Sequence, residues 1–175
     1  MSDVTLSEAI QEAYASAPVG LIIYDTLEID HQTFTEPIRI VRDYADLTAY
    51  LEDDAPKNAG EEVTFVRYAF DVTKPELTPD GVTSMQIVID NVSRLIAASI
   101  ETALESTDYV TIIYREYIST DLTGPQNDPP IKLYVTAITV DAFKITATCG
   151  FPNLANRRFP TQEYSAEEFP GLVTT

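Results

Sequence analysis

The sequence predicts an α+β fold, mainly an antiparallel β-sandwich, with a central β-α-β helix, an N-terminal helix and an extended C-terminal arm. Three observations lead there. Seven runs have strand-like composition or alternation, and short polar turns of the kind that join antiparallel strands separate several of them. The stretch Ser84 to Tyr117 reads as strand, helix, strand. The last segment, Gly150 to Thr175, carries three Phe-Pro steps and no sustained period. Each residue before a proline is pushed to an extended conformation, so this segment reads as an arm anchored by its aromatics.

In chain order, Thr5-Leu6-Ser7-Glu8 has the form of a capping box, with Thr5 as N-cap and Glu8 three residues on. Leu6, Ala9, Ile10, Ala13, Tyr14 and Ala17 follow as an apolar stripe, and Pro18 closes the helix. Val19 to His31 is expected as a long strand, with Leu21, Ile23, Leu27 and Ile29 on one parity and Asp25 its single polar interruption. A bend near Thr33–Pro37 leads to a short strand, Ile38–Arg42. Leu47, Tyr50 and Leu51 suggest a short helix between Asp46 and Glu52. The polar run from Glu52 to Glu62 reads as an exposed loop. Glu62 to Val72 is apolar on both parities, which places it centrally or between layers. Lys74 to Thr83 is a loop with Pro79-Asp80-Gly81 as its turn.

The central unit follows. Met85, Ile87 and Ile89 alternate with Gln86, Val88 and Asp90, as a pleated strand requires. Asn91 stands at the N-cap position of a helix whose stripe is Val92, Leu95, Ile96, Ser99, Ile100, Ala103 and Leu104. Tyr109 to Ile118 returns as a strand. Ser119 to Pro130 is long, polar and proline-rich, and is expected to be an exposed loop, functional or mobile. Ile131–Val140 and Phe143–Cys149 form a hairpin around Asp141-Ala142.

At 175 residues the chain is expected to form one domain, 1–175, with 150–175 as its arm. Such a length buries about 68–70% of the unfolded surface without staples. Net charge is −17, from 11 Lys+Arg against 28 Asp+Glu. Binding nucleic acid through its phosphates needs clustered cations, so that class is set aside. What remains is solubility by self-repulsion, or a surface that must not stick to a passing polyanion. The single cysteine, Cys149, excludes an internal disulfide and fits a reducing compartment. No apolar run approaches the roughly 20 residues that span a bilayer. The acidic start, MSDVTLSEA, lacks the features of a signal peptide, so a soluble protein made without secretion is expected.

Chemistry-bearing residues are few. His31, the one histidine, stands at a strand end without a second ligand or partner in view, and reads as structural. Cys149 ends an apolar strand and reads as a small buried hydrophobe. Asp53-Asp54 and Glu61-Glu62 read as solvated loop acids. Phosphate-cradling and nucleophile-elbow motifs are missing. Arg157-Arg158 is the one adjacent basic pair, a solvated loop or a bridge to an acidic neighbour. No catalytic, cofactor-binding or metal-binding residue is assigned, and no enzyme is expected.

Several segments together resemble one family: LSEAIQEAYASAP, DTLEIDH, VTFVRYAFDV, IVIDNVSRLIAASIE, VTIIYREYIS and NLANRRFPTQEYSAEEFPGL, in that order. The set is similar to an uncharacterised family of tailed phages and prophages, a domain of unknown function whose members resemble minor tail proteins of the long, flexible, non-contractile class. The helix and strand of the central unit are also similar to the N-terminal part of lambda-type minor tail protein L. Those L proteins continue into a cysteine cluster holding an iron–sulfur centre. This chain has Cys149 alone, so that cofactor is not carried over and none is expected. The resemblance implies a tail-tube or distal-tail-like sandwich in the virion, made in the host cytoplasm. It implies a structural protein of the tail tip, in a ring of three-fold or six-fold symmetry that joins the tail tube to the distal, receptor-binding apparatus. Its partners would be further copies of itself and neighbouring tail proteins, with a lumen that passes DNA without binding it and no insertion in a membrane. Candidate interface residues are Arg157, Arg158, Phe159, Tyr164, Phe169 and Leu172. The alternative reading is an acidic nucleic-acid mimic that inhibits a host DNA-binding enzyme; its carboxylates should then array over one face at phosphate spacing.

Overall fold

The computed structural model describes residues 5–16, 20–73, 84–90, 102–103, 106, 108–141 and 144–150. Its centre is β8 (Thr111–Ile118), in which every residue from Ile112 to Ile118 is buried. Burial on both parities means that both faces of this strand are covered. On one side β8 pairs in antiparallel register with β2 (Ile23–Asp30), Leu27 opposite Tyr114 and Ile29 opposite Ile112. On the other it pairs with β10 (Ile131–Val140).

The full sheet has nine strands in the order β4-β5-β3-β2-β8-β10-β11-β7-β6. The remaining members are β3 (Ile38–Val41), β4 (Leu47–Tyr50), β5 (Glu62–Arg67), β6 (Phe70–Thr73), β7 (Ser84–Asp90) and β11 (Lys144–Gly150). Every pairing in it is antiparallel except β3 with β5, so the sheet is mixed. A separate two-stranded ladder joins β1 (Thr5–Leu6) to β9 (Asn127–Asp128). One small helix, α1 (Glu8–Ser16), completes the regular structure of the described residues outside the 91–107 region. The fold is therefore β-rich, as the sequence leads one to expect.

The stretch expected as one central strand, Glu62 to Val72, is broken at Tyr68-Ala69. Its halves lie far apart in strand order, β5 second from one end and β6 forming the other end. The Tyr68 N–H donates to Val41 O at 2.9 Å, and the Asp90 N–H donates to Ala69 O at 3.0 Å. Two residues thus stitch both ends of the ladder together, and the sheet curls over its core. The break also changes parity. Val63 and Phe65 are buried before it, and Phe70 after it. Two half-strands with opposite apolar parity read, in sequence, as one strand apolar on both faces.

Curling separates two apolar clusters. Inside the curl lie Leu27, Ile40, Ile87, Ile112, Leu133 and, from the far end of the sheet, Phe70. On the outer face of β2 and β8, the β4–β5 hairpin and the loop after β4 cover Tyr117 with Val41, Leu47, Ala49, Val63 and Phe65. The rings of Phe65 and Tyr117 meet there at 5.8 Å and 57°. This second cluster explains why β2 is buried at Thr26 and Glu28 as well as at Leu27 and Ile29, the parity on which its apolar residues fall.

The short helix expected at Asp46–Glu52 is a strand instead. Leu47 and Ala49 are buried while Thr48 and Tyr50 are exposed, a period of two, and Leu47 pairs with Phe65. The i, i+3, i+4 match of Leu47, Tyr50 and Leu51 was too short to select a helix, which needs several turns or tertiary packing to be stable. The capping box is displaced too. Thr5 is committed to β1, so the cap falls on Ser7, whose Oγ accepts from the Ile10 N–H at 3.3 Å. That hydroxyl donates in turn to Gln126 Oε1 at 2.6 Å. Of the apolar stripe of this helix, Ile10 is fully buried. Ser7→Ala is expected to cost about 1 kcal/mol through the lost cap; an unchanged urea midpoint would remove Ser7 from that role.

The loop Ser119–Pro130 is not simply exposed. Past the end of its pairing with β10, β8 has backbone groups facing this loop, and the loop satisfies them. Asn127, 1% exposed, accepts from the Glu116 N–H at 2.9 Å and donates through Nδ2 to Tyr114 O at 3.1 Å. The Gln126 N–H donates to Glu116 O at 2.7 Å. Polar composition here marks buried edge-capping rather than solvation.

The β10–β11 hairpin stands as expected, closed by Val140 opposite Ile145 and by the Asp141 N–H donating to Lys144 O at 2.9 Å. β7 and β8 enclose the expected central helix in sequence but are not neighbours, since β10 and β11 lie between them. The Asn91 cap, most of that helix, the loop at 74–83 and the arm at 151–175 lie outside the described residues.

Candidate functional site

The densest polar chemistry among the described residues lies on β2 and β8 and their coverings. On the outer face, Arg115 is fully buried and holds Glu52 with two parallel bonds, Nε to Oε2 at 2.7 Å and Nη2 to Oε1 at 2.6 Å. Its Nη1 lies 3.3 Å from Glu28 Oε2, which also accepts from Arg39 Nε at 2.8 Å. The four charges alternate as Arg39, Glu28, Arg115, Glu52. Burial alone would lower the Arg115 pKa, but the hydrogen bonds of Glu52 and the charges of Glu28 and Glu52 outweigh it and raise the value. The guanidinium stays charged.

This chain of charges fastens the loop from Glu52 to Glu61 to the sheet. Arg39 Nη2 donates to Asn58 Oδ1 at 2.9 Å, and Lys57 Nζ reaches Asp30 Oδ1 at 2.8 Å. Asn58 adopts a positive φ of 57° and Gly60 one of 66°. At Gly60 a side chain would be strained, and its Cβ would stand 3.1 Å from Asp53 Oδ1. The loop expected to be solvated is therefore half committed. Glu52 and Ala55 are turned inward, while Asp53, Asp54, Glu61 and Glu62 remain exposed.

A second cluster sits at the inner, opposite end. The Tyr114 hydroxyl lies 2.5 Å from Asp25 Oδ1 and 2.6 Å from Glu116 Oε1. Arg42 bonds Asp25 from outside and reaches Asp71 of β6 at 3.6 Å. Burial, then the charges of Asp25 and Glu116, push the Tyr114 phenol far above its ordinary pKa. Arg42 thus links β2 to the other end of the curl. Asp25, the single polar interruption read in the sequence, is the anchor of this clasp.

An open cleft of about 420 Å³ is lined by Thr35, Glu36, Pro37, Arg39, Lys57 and Asn58. Its two cations are already bonded to Glu28 and Asp30. His31 is not among the lining residues. It is 3% exposed, its Nδ1 accepts from the Thr33 N–H at 3.2 Å, and its ring meets Phe34 edge-on at 5.7 Å. Nδ1 also lies 2.8 Å from Thr33 Oγ1, while Nε2 has no partner among the described residues. Cys149 is fully buried, its thiol pushed up to about 12 by that burial. Both residues sit where a structural reading puts them. Among the described residues, no group of three or more His, Cys, Asp or Glu is placed to hold a metal ion.

What faces outward is different in kind. Tyr44 is 95% exposed, Val66 50% and Tyr50 43%, all on or beside the β4–β5 hairpin. Thr48 and Thr64 lie between them as a cross-strand pair. The candidate interface residues Arg157, Arg158, Phe159, Tyr164, Phe169 and Leu172 lie outside the described residues. The β4–β5 strip was missed in the sequence because β4 read as a helix. Tyr50 and Thr48 on alternate positions were the available signal.

Comparison with known proteins gives one family. Residues 9–164 match the family described as a domain of unknown function, DUF1833. No curated protein matches the chain.

Proposed function

The chain belongs to the DUF1833 family, and from that premise we propose that it is a structural protein of the tail tip of a non-contractile tailed phage. It forms part of a ring, three-fold or six-fold, between the tail tube and the distal receptor-binding apparatus. The observation that carries this reading is how the fold spends its side chains. Its buried charges lock strands and loops to one another, as in Arg39–Glu28–Arg115–Glu52. Its outward strip of Tyr44, Thr48, Tyr50, Glu62, Thr64 and Val66 is left to water. An assembly subunit needs a rigid body and outward surfaces for neighbours, and this division supplies both.

Two further features support the reading. The segments that carry the resemblance to tail proteins run in order through nearly the whole chain. The β4–β5 end of the sheet packs apolar side chains against Tyr117 on the outer face of β8, and a tail-tube-like sandwich would extend such packing into a second layer. With a net charge of −17, a ring of such subunits repels DNA phosphates and lets a genome slide past. Immunogold labelling of virions that carry this gene tests the proposal. Label at the distal end of the tail is expected. Virions free of label, with the protein found in the infected cell alone, would overturn it.

A further inference from the structure

The β4–β5 hairpin ends the sheet with an outward face for which the described fold has no use. Leu47, Ala49, Val63 and Phe65 point into the outer cluster. The intervening Thr48, Tyr50, Glu62, Thr64 and Val66 therefore form the outward side, and all are exposed. Among the described residues no strand lies beyond β4 in the sheet order, and the Tyr50 N–H on that side is taken by Leu122 O at 2.9 Å. Tyr50 stands opposite Glu62 in the ladder and three residues before Asp53-Asp54. The patch is thus aromatic, with carboxylates at one end. It fits an extended, aromatic, cationic peptide.

We propose that this patch receives residues 151–175 of a second copy of the chain, with Arg157-Arg158-Phe159 lying across Tyr50 between Asp53, Asp54 and Glu62. The proposal rests on the ring reading given above and names the contact that closes such a ring. Charge selects the occupant. Among the described cations, Arg39, Arg42, Arg115 and Lys57 are held in ion pairs within the fold, while Arg67, Lys132 and Lys144 stand singly on β5, β10 and β11. The adjacent pair Arg157-Arg158 lies in the 25 residues that follow β11, together with Phe151, Phe159, Tyr164 and Phe169. The Phe-Pro steps of that segment favour extended backbone, a shape that lies along an exposed strip of strand side chains. An arginine over the Tyr50 ring gains cation–π attraction in addition to its carboxylate partners. Fully extended, such a segment reaches on the order of 80 Å, ample to cross to a neighbour. A patch on one copy that takes a different segment of the next makes a heterologous contact, and repeated contacts of that kind form a ring when their rotation closes.

Cysteine cross-linking of the full-length chain tests this, since Cys149 is buried and silent. Protein carrying Thr48→Cys, mixed with differently tagged protein carrying Arg158→Cys, is expected to give a disulfide-linked heterodimer under mild oxidation. Its yield should exceed at least tenfold that of Thr48→Cys mixed with Thr136→Cys, a control on an exposed position of β10. A chain carrying both Thr48→Cys and Arg158→Cys that links within itself instead would overturn the second-copy docking, as would yields equal to the control. Charge exchange gives an independent readout. Asp53→Lys with Glu62→Lys, or Arg157→Glu with Arg158→Glu, should each abolish rings in negative-stain images, and the four together should restore them. Rings that survive either pair sink this contact while the ring reading stands. Wild-type protein that never forms rings sinks that reading itself.

Discussion

Replacing Arg115 with methionine is expected to lower the unfolding free energy by about 3–5 kcal/mol, the cost of breaking a buried ion pair from one side. The guanidinium has no exposed surface, and the Glu52 side chain it holds is 13% exposed. Methionine fills much of the volume but leaves the Glu52 carboxylate desolvated and without its two charge-assisted bonds. Glu28, 1% exposed, keeps Arg39 and so loses half of its compensation. Adding Glu52→Leu should recover part of the loss, because the stranded carboxylate is then gone. Urea denaturation of the two single variants and the double variant closes that cycle. A loss under about 1 kcal/mol for Arg115→Met would mean that the alternating charges are solvated and fasten nothing. The same variant should also free the Asp53–Glu61 loop to proteases before the rest of the chain.

That prediction could not have been written from the sequence, and the reason is sequence separation. Arg115 and Glu52 are 63 residues apart, and Arg115 and Glu28 are 87 apart. Opposite charges so distant carry no local pattern, so Glu52 read as one more loop acid. Local patterns did carry the strands that bury one face against a single cluster, even where, as for β7 with β11, the partner is distant. Met85–Asp90 alternates because one face meets the inner cluster, and the β10–β11 hairpin needs no information beyond its own turn. Where a segment answers to two clusters, period and parity mislead. Glu62–Val72 looked like one buried strand because it serves the outer cluster up to Arg67 and the inner one from Phe70. Asn127 has the same lesson in polar form. A proline-rich, polar loop reads as solvated until a strand end is found that needs its amide.

The two clusters also bear on how the fold holds together. Arg42 and the Tyr68-Ala69 corner join the ends of the curl, while Arg115 joins the curl to its outer covering. Tyr114 and Tyr117 project from the same strand to opposite faces, one under Asp25 and Glu116 and the other under Phe65. β8 is thus the place where an apolar core, an ion-pair layer and a clasp meet. A surface strip built on β4 and β5 inherits its rigidity from that strand through Glu52 and Tyr117, whose hydroxyl donates to Tyr50 O at 3.0 Å.

Stability is expected to stay level from pH 7 to about 8.5 and then to fall by roughly 5 kcal/mol by pH 11. Three buried groups set this limb. Burial raises the Cys149 thiol from 9.0 to about 12. Burial, reinforced by Asp25 and Glu116, raises the Tyr114 phenol, and burial raises that of Tyr117 against the opposing charge of Arg115. In the unfolded chain these groups lose their protons near pH 9 and pH 10, while in the folded chain they keep them. Above those values the unfolded state binds fewer protons than the native one, so unfolding gains about 1.4 kcal/mol per pH unit for each group. Their contribution is complete below pH 9 and is lost as pH climbs toward the raised values. A domain stable by about 5–15 kcal/mol would then approach its unfolding transition. Urea midpoints at pH 8, 9, 10 and 11 measure the slope, and absorbance at 295 nm follows the phenols. Of the ten tyrosines, two should ionise together with the loss of folded circular dichroism rather than before it. A midpoint unchanged between pH 8 and pH 11 would sink the prediction, as would all ten tyrosines ionising near pH 10 in a chain that remains folded.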